Sequence, residues 1–180
     1  MDTPEGLIYV EDFLSPQEEE AVLEAIGQID FRTLTMRGQT AKRTVRHYGL
    51  DYDYESGELV AADPLPPPLT FLRDRCAALI EREPEDLVQV LISRYPEGAG
   101  IGWHRDAPMF GSKIAGVSLL APCRMRFQRT VKGDRETAAI ELAPRSAYVL
   151  AGKARWSWQH SIPATNALRY SITFRTLRRS

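Results

Sequence analysis

The chain has 180 residues, 43% of them hydrophobic, and carries 23 Lys and Arg against 24 Asp and Glu. This length and composition are typical of one water-soluble globular domain, here spanning residues 1–180. No run approaches the roughly 18 consecutive apolar residues of a membrane-spanning helix, and no basic stretch followed by an apolar one opens the chain. We therefore expect a cytoplasmic protein that acts as a monomer. Cys76 and Cys123 have no CxxC partner and are expected to be reduced, structural thiols.

The near-zero net charge hides a segregation of charge along the chain. Residues 1–30 carry nine acids and no base, whereas residues 31–50 carry five Lys and Arg and no acid. Glu141 is the last acid, and seven Lys and Arg follow it. A polyanionic partner therefore stays possible, because local charge decides such binding better than net charge does.

Two helices are predicted in the first half of the chain. Ser15 and Glu18 form a capping box, which predicts a helix that begins there and ends at about Ile29. A proline-rich connector then opens a second helix from about Pro68 to Glu83. Residues 31–54, between the two, are basic first and then aromatic, which indicates strands joined by turns.

Short strands dominate the rest of the chain from residue 87 onward. Their period of two and the Gly, Pro and charged turns between them predict an antiparallel sandwich or barrel without intervening helices. The fold class is therefore α+β, with the two N-terminal helices packed on the outer face of the barrel. The predicted strands are residues 87–95, 100–104, 114–120, 124–129, 138–143, 146–151, 157–162 and 167–177.

Two of the three histidines form a candidate metal site with one carboxylate. His104 and Asp106 are two residues apart, so their side chains point the same way in an extended segment. His160 follows on another predicted strand. Two imidazoles and a carboxylate can occupy one face of an octahedral metal and leave the other face open, as in non-haem Fe(II) oxygenases. The alternative is that all three are ordinary hydrogen-bonded polar residues.

The last predicted strand is a candidate anion site. Arg169, Ser171, Thr173 and Arg175 share one face of it, and the three residues between them are apolar or aromatic. Two inward-facing arginines are costly to bury without anions, and a dicarboxylate would supply them through two-bond contacts, with the hydroxyls as further donors. The opposite orientation, with both arginines in solvent, explains the alternation equally well.

Taken together, these blocks resemble the AlkB-like family of Fe(II)- and 2-oxoglutarate-dependent dioxygenases. The resemblance implies a double-stranded β-helix, or jelly roll, with its core at residues 87–177 and a substrate lid at residues 31–60. It covers about residues 90–177. The motifs that carry it are Tyr95-Pro96, Gly100 to Asp106, Val117-Ser118-Leu119, Met125-Arg126-Phe127, Trp158 to Pro163 and Arg169 to Arg175.

The resemblance also implies cofactors and a reaction. His104, Asp106 and His160 would ligate Fe(II). 2-Oxoglutarate would be the cosubstrate and O2 the oxidant, and the enzyme would hydroxylate a C–H bond of its substrate while forming succinate. When that carbon is a methyl group on nitrogen, the product breaks down to formaldehyde and the bare nitrogen.

Several roles in cosubstrate binding follow from the same resemblance. Arg169 would pair with the far carboxylate of 2-oxoglutarate, helped by Tyr95, and Arg175 would lie near the chelating end. The family commonly has Asn where this chain has Ser93, which has less reach. Some members read the target base with an acid at the position of Pro108, so that mode of base recognition does not carry over.

Candidate substrate residues lie in the lid and beside the metal ligands. Arg43, His47 and Tyr48 combine cations with aromatic rings, which suits a phosphate backbone and an everted base. The alternative is a hairpin whose cations face water. Trp103 and Trp158 flank metal ligands, where stacking on substrate competes with a packing role in the core or at the barrel rim.

Three classes of function follow from these patterns. The first is oxidative demethylation of methylated nucleic acid or of a free alkylated nucleotide, as in alkylation repair of DNA or RNA. The second is demethylation or hydroxylation of a protein side chain. The third is a non-catalytic binding module on the same barrel. The complete set of metal ligands and both arginines argue against the third.

Overall fold

A computed structural model describes residues 3–36, 38–53 and 56–179. Arg37 and Tyr54 of the predicted lid lie outside the described residues. The helices are α1 (Pro16–Ile26), α2 (Thr70–Leu79) and α3 (Gly152–Trp156). The strands are β1 (Leu7–Val10), β2 (Arg32–Met36), β3 (Gln39–Tyr48), β4 (Leu50–Tyr52), β5 (Leu59–Ala61), β6 (Gln89–Tyr95), β7 (Ile101–His104), β8 (Phe110–Leu119), β9 (Cys123–Val131), β10 (Asp134–Leu142), β11 (Ser146–Leu150), β12 (Gln159–Ile162) and β13 (Arg169–Leu177).

The strands form two main sheets and one small ribbon. The larger sheet has the order β1-β11-β8-β13-β6-β3-β2, and the smaller has the order β10-β9-β12-β7. Strands β4 and β5 pair with each other. Neighbouring strands are antiparallel throughout. The predicted α+β class, with mostly antiparallel sheet and few helices, is confirmed at this level.

The predicted lid is built largely from strands. Strands β2 and β3 form one edge of the larger sheet, with β3 hydrogen-bonded to β6. The β4–β5 ribbon follows them in the chain. The basic segment is therefore anchored through β3 to the sheet that carries the candidate anion site.

Both predicted helices exist but are shorter than expected. The capping box of Ser15 and Glu18 is present, and α1 ends at Ile26 because Gly27 caps it. The second helix starts at Thr70, since the preceding prolines take part in a 3₁₀ turn, Pro67–Leu69. It ends at Leu79, and Glu81 follows with a left-handed φ of 58° that no helix continues through.

All eight predicted strands after residue 87 are present, but the expectation of no intervening helix is wrong. The short helix α3 lies between β11 and β12. Its five residues are too few for a hydrophobic period to identify them. Strand β1 was also missed, and it pairs with β11 at the opposite edge of the larger sheet from β2.

Two hydrophobic clusters organise the interior. One joins the buried faces of α1 and α2 to the outer face of the larger sheet, through residues such as Val22, Leu72 and Phe174. The other lies between the two sheets and includes Met125 and Phe127. The candidate site opens beside this second cluster. Within the described ranges, no helix has the length and apolar character needed to cross a bilayer.

The two cysteines are free and buried. Cys76 lies in α2 and Cys123 begins β9. Burial raises the pKa of both thiols, so they stay protonated at neutral pH. Their position is that of structural residues.

Candidate active site

Pairing of β7 with β12 brings the two candidate histidine ligands together. His104 and His160 are direct partners across the two strands, and their ring centroids are 4.2 Å apart. Asp106 lies in the loop just after β7, with Oδ1 3.5 Å from Nε2 of His160. One ligand atom from each of the three residues lies within 4.8 Å of the others. The three predicted ligands therefore converge as a single metal ion requires.

A hydrogen bond to the backbone determines which ring nitrogen of His104 is available to bind a metal. Its Nδ1 lies 2.8 Å from the carbonyl oxygen of Gly102. In the neutral ring this contact assigns the proton to Nδ1, which leaves the lone pair of Nε2 for a ligand bond. Burial lowers the pKa of His104, so the neutral form dominates at pH 7.

Charges around Asp106 keep it ionised although it is buried. Burial raises its pKa, but the positive charge of Arg175, together with His160 and His104 once these are protonated in acid, outweighs this and holds the pKa well below its usual range. Arg175 donates from Nε to Oδ2 of Asp106 at 2.7 Å and from Nη1 to Gln89 at 2.9 Å. Burial lowers the pKa of His160 to about 4, against the opposing effect of Asp106. At neutral pH the trio is thus one carboxylate and two neutral imidazoles, the forms that bind metal.

The wall opposite the trio is formed by the inner faces of β13 and β6. Across these strands Arg169 pairs with Tyr95, and Ser171 pairs with Ser93. Both predicted arginines point inward, and the cavity between the sheets is lined by Arg169, Ser171, Thr173, Arg175, Tyr95 and Ser93 as well as by the trio. The alternative with both arginines in solvent is wrong, because Arg169 is 2% exposed and the side chain of Arg175 is 11% exposed. The residues between them pack under the helices, as that alternative expected.

Arg169 has the properties of a buried anion site. It is 2% exposed, and its Nε donates to the hydroxyl of Ser118 at 3.1 Å. Its guanidinium carbon lies 5.0 Å from the centroid of the Tyr95 ring. Nη1 is buried without a hydrogen-bond partner among the described residues. A buried donor of this kind is costly unless an acceptor fills the cavity, and a carboxylate is the acceptor that fits it best.

Ser93, which stands where the family commonly has Asn, is contacted from the lid. Arg43 of β3 donates from Nη1 to the Ser93 hydroxyl at 3.1 Å. The same guanidinium lies 5.9 Å from the centroid of the Tyr95 ring, and Arg43 lines the cavity. A third arginine therefore reaches the site from the lid segment.

The other predicted substrate residues lie outside the cavity wall. Tyr48 is 4% exposed and packs in the cluster beneath the helices. His47 places Nδ1 3.2 Å from Oδ1 of Asp51. Trp158 is 6% exposed and belongs to the cluster between the sheets, whereas Trp103 is half-buried with the guanidinium of Arg126 5.1 Å from its ring. Their contacts with substrate stay predictions, and of the five only Arg43 lines the cavity.

Comparison with known proteins identifies the family. Residues 6–175 match the family model of the 2OG-Fe(II) oxygenase superfamily. The chain belongs to this superfamily. It is an AlkB-like dioxygenase, and enzymes of this family use Fe(II), 2-oxoglutarate and O2. The His-Asp-His trio fits the metal. Nη1 of Arg169, which has no hydrogen-bond partner among the described residues, fits the cosubstrate.

Individual relatives share most of this chain but are longer. "tRNA (carboxymethyluridine(34)-5-O)-methyltransferase alkbh8" of Xenopus tropicalis is 33% identical over 88% of this chain and 25% of its own length. "Alkylated DNA repair protein ALKBH8 homolog" of Arabidopsis thaliana is 29% identical over 88% of this chain and 51% of its own length. The chain thus spans a quarter to a half of these two relatives. The solved structure of OsALKBH1 covers 98% of both chains with a TM-score of 0.72 at 16% identity, which shows a shared fold.

Tyr148 lines the cavity of the dioxygenase site, although the sequence patterns do not predict it as a site residue. It projects from β11 into the cavity, and burial raises the pKa of its phenol to about 12. Gly116 of β8 lies directly beneath the ring, since a Cβ there would come within 2.3 Å of the ring carbon Cζ. Strand alternation alone does not tell which face of β11 points inward, so no sequence pattern identifies Tyr148.

Replacing Gly116 with Ala is expected to displace the Tyr148 ring and disturb the cavity. The overlap with the ring should destabilise the protein by about 1–3 kcal/mol, the usual cost of overpacking, and should weaken 2-oxoglutarate binding. Thermal unfolding and titration with 2-oxoglutarate measure the two effects. Gly102→Ala is the matched control, because no atom lies within 4 Å of a Cβ built there. Equal behaviour of the two variants would contradict the assignment of Gly116.

Proposed function

We propose that this dioxygenase removes methyl groups from nitrogen atoms of nucleic acid by oxidation. The observation that carries the proposal is Arg43, a cation in the cavity wall that has no ion-pair partner among the residues described. Arg175 forms an ion pair with Asp106, and the unpaired donor of Arg169 is assigned to the far carboxylate of 2-oxoglutarate. The positive charge of Arg43 is therefore left for an anion on the substrate, and phosphate is the anion that every nucleic acid carries.

The lid and the names of the relatives support the same substrate class. Residues 31–50 contain no acid, so nothing within that stretch of sequence neutralises its cations. Phosphate contacts from Lys and Arg supply most of the non-specific affinity for nucleic acid. Two relatives bear names that refer to tRNA and to alkylated DNA. We infer a methylated, single-stranded DNA or RNA substrate, or a free alkylated nucleotide.

In this proposal the chain's own residues hold and orient the reactants. Nε2 of His104, the carboxylate of Asp106 and the imidazole of His160 would hold Fe(II). Arg169 and Tyr95 would hold the far carboxylate of 2-oxoglutarate, with Ser171 as a further donor, and Arg175 would lie near the chelating end. When bound, the iron and the cosubstrate supply the oxidising power for hydroxylation of a C–H bond.

The reaction balances without any further reductant. One oxygen atom of O2 enters the methyl C–H bond, and the other enters 2-oxoglutarate as it loses CO2 and becomes succinate. The N–CH2OH product then loses formaldehyde and leaves N–H. Apolar residues of the cavity wall, Leu91, Ile101 and Ile162, limit the access of water to this step.

We also infer the architecture that positions these groups. The two sheets form the double-stranded β-helix that the resemblance implies, with residues 87–177 as its core. Helices α1 and α2 cover the outer face of the larger sheet, as their shared hydrophobic cluster supports. Residues 31–60 act as the lid, and β3 delivers Arg43 from that lid to the cavity.

Coupled product formation tests the proposal. The purified protein, with Fe(II) and 2-oxoglutarate, is given methylated single-stranded DNA, methylated RNA or the same oligonucleotides without methyl groups. We expect succinate and formaldehyde to rise together only with the methylated polymers and to disappear in a His104→Ala variant. Formaldehyde release from a methylated peptide, with none from either nucleic acid, would instead assign the enzyme to protein substrates.

Arg43→Gln is expected to weaken binding of a methylated single-stranded oligonucleotide and to lower its salt dependence. Loss of one phosphate contact should reduce the slope of log affinity against log salt by roughly 0.7–1. Arg46→Gln is the matched control, since Arg46 lies on the opposite face of β3 and pairs with Asp63 at 2.6 Å. Binding titrations at several salt concentrations measure both variants. A larger rise in the KM for 2-oxoglutarate than for the oligonucleotide would assign Arg43 to the cosubstrate instead.

A further inference from the structure

Helix α3 carries Arg155, whose side chain contacts the loop that contains Asp106. Arg155 is 2% exposed, and no carboxylate lies within ion-pair distance of it among the described residues. A buried cation without an anion is costly unless all its donors are hydrogen-bonded. Its partners therefore indicate why an arginine stands at this position.

Every nitrogen of the Arg155 guanidinium donates to backbone carbonyls, two of them in the loop after β7 and two at the start of β8. Nη1 donates to Asp106 at 3.1 Å, and Nη2 donates to Ala107 at 2.9 Å and to Phe110 at 3.0 Å. Nε donates to Gly111 at 3.0 Å. The four bonds span the whole connection from the metal ligand to the start of β8.

We propose that Arg155 is a positioning residue that fixes Asp106 for metal binding. Asp106 lies beyond the end of β7, so no strand pairing holds its backbone. Arg155 holds that backbone from one side, while Arg175 holds the carboxylate from the other. The carboxylate is then oriented toward the two histidines before any metal arrives.

The planar fork of arginine is required for this task. A lysine ammonium is a single point of charge on a flexible stem. It cannot donate to all four of these carbonyls at once, as the planar guanidinium does. Groups that orient metal ligands typically contribute 10–100-fold to metal affinity. We expect Arg155→Lys and Arg155→Met to weaken metal binding by about that factor.

The experiment measures Mn(II) affinity by electron paramagnetic resonance, together with thermal unfolding, for the wild type and both variants. Arg145→Met is the matched control, because Arg145 also donates to a backbone carbonyl, that of Leu14, but its side chain does not line the site. Both Arg155 variants should lose about 10–100-fold in Mn(II) affinity, while Arg145→Met should change stability alone. Mn(II) affinity within twofold of wild type in folded Arg155→Lys would overturn the proposal.

A double substitution shows whether Arg155 acts through Asp106. If it does, Arg155→Lys should have no further effect on the residual Mn(II) affinity of Asp106→Ala. An equal effect in both backgrounds would contradict the proposal. The inference rests on the proposed role of Asp106, and the two fail differently. Loss of the metal site itself would show as no Mn(II) binding by the wild type, whereas failure of the Arg155 role would leave wild-type binding that depends on Asp106.

Discussion

Asp106→Ala is expected to abolish iron-dependent turnover and to weaken metal binding by at least roughly 100-fold. Asp106 is the only anion among the three proposed ligands, so its loss removes both a ligand and the charge that attracts the cation. The variant also leaves Arg175 without its buried carboxylate partner. Breaking a buried pair on one side costs about 3–5 kcal/mol, so stability must be measured beside activity.

Two measurements separate loss of the site from loss of the fold. Circular dichroism shows whether Asp106→Ala is folded at the assay temperature, and Mn(II) titration then reports the site. Asp63→Ala is the matched control, because Asp63 also pairs with an arginine but lies on the surface. Surface pairs contribute about 0–1 kcal/mol, so this control should keep wild-type turnover. Metal-dependent turnover by folded Asp106→Ala would contradict the ligand assignment.

Arg169→Met is expected to raise the requirement for 2-oxoglutarate by roughly 30-fold or more. Removing one partner of a buried charge pair costs about 2–5 kcal/mol of binding, and Arg169 is buried with Nη1 lacking a hydrogen-bond partner among the described residues. The KM for 2-oxoglutarate should rise far more than kcat falls, because the arginine binds the end of the cosubstrate remote from the metal. Steady-state kinetics over a wide range of 2-oxoglutarate concentrations measure both constants.

Arg94→Met is the matched control for this prediction. Arg94 lies on the neighbouring strand β6, next in the chain to Tyr95 but on the opposite face of the sheet, and it does not line the cavity. Its variant should keep the wild-type KM for 2-oxoglutarate. A similar rise in KM for both variants, or a fall in kcat alone for Arg169→Met, would contradict the role of Arg169.

The sequence supplied His104, Asp106 and His160 as candidate metal ligands, because the chain has only three histidines and two of the candidates are two residues apart. The family resemblance, rather than this pattern alone, favoured a metal site over ordinary polar residues. His104 and Asp106 share a direction in an extended segment. The structure places Asp106 just beyond the strand, where Arg155 and Arg175 hold it. The distance from His160 to the pair depends on the β7–β12 pairing, which no local pattern encodes.

The orientation of β13 could not be decided from its own sequence. Both of its faces are buried, one against the cavity and the other under the helices. An alternating strand therefore gives the same pattern whichever way it faces. Only its position in the centre of the larger sheet, between β8 and β6, makes both faces internal.

Local sequence patterns do not identify residues whose role depends on packing against distant parts of the chain. Arg155 lies in a five-residue helix that leaves no periodic signal, and the carbonyls it binds lie 44 to 49 residues earlier, in the loop after β7 and at the start of β8. Tyr148 enters the cavity because Gly116, on the neighbouring strand, leaves room for its ring. Trp158, for which the sequence left both a core role and a substrate role open, packs between the sheets. Proximity in sequence to a metal ligand does not by itself place a side chain in the site.

Succinate formation against Fe(II) concentration tests whether His104, Asp106 and His160 form an iron centre that supports turnover. The metal-stripped wild-type protein is titrated with Fe(II) in the presence of 2-oxoglutarate and O2, beside a His160→Ala variant whose fold is verified. We expect wild-type turnover to be absent without iron and to saturate near one Fe(II) per chain, whereas the variant should stay inactive across the titration. Turnover by the stripped protein, or an undiminished response in His160→Ala, would contradict an iron centre at His104, Asp106 and His160.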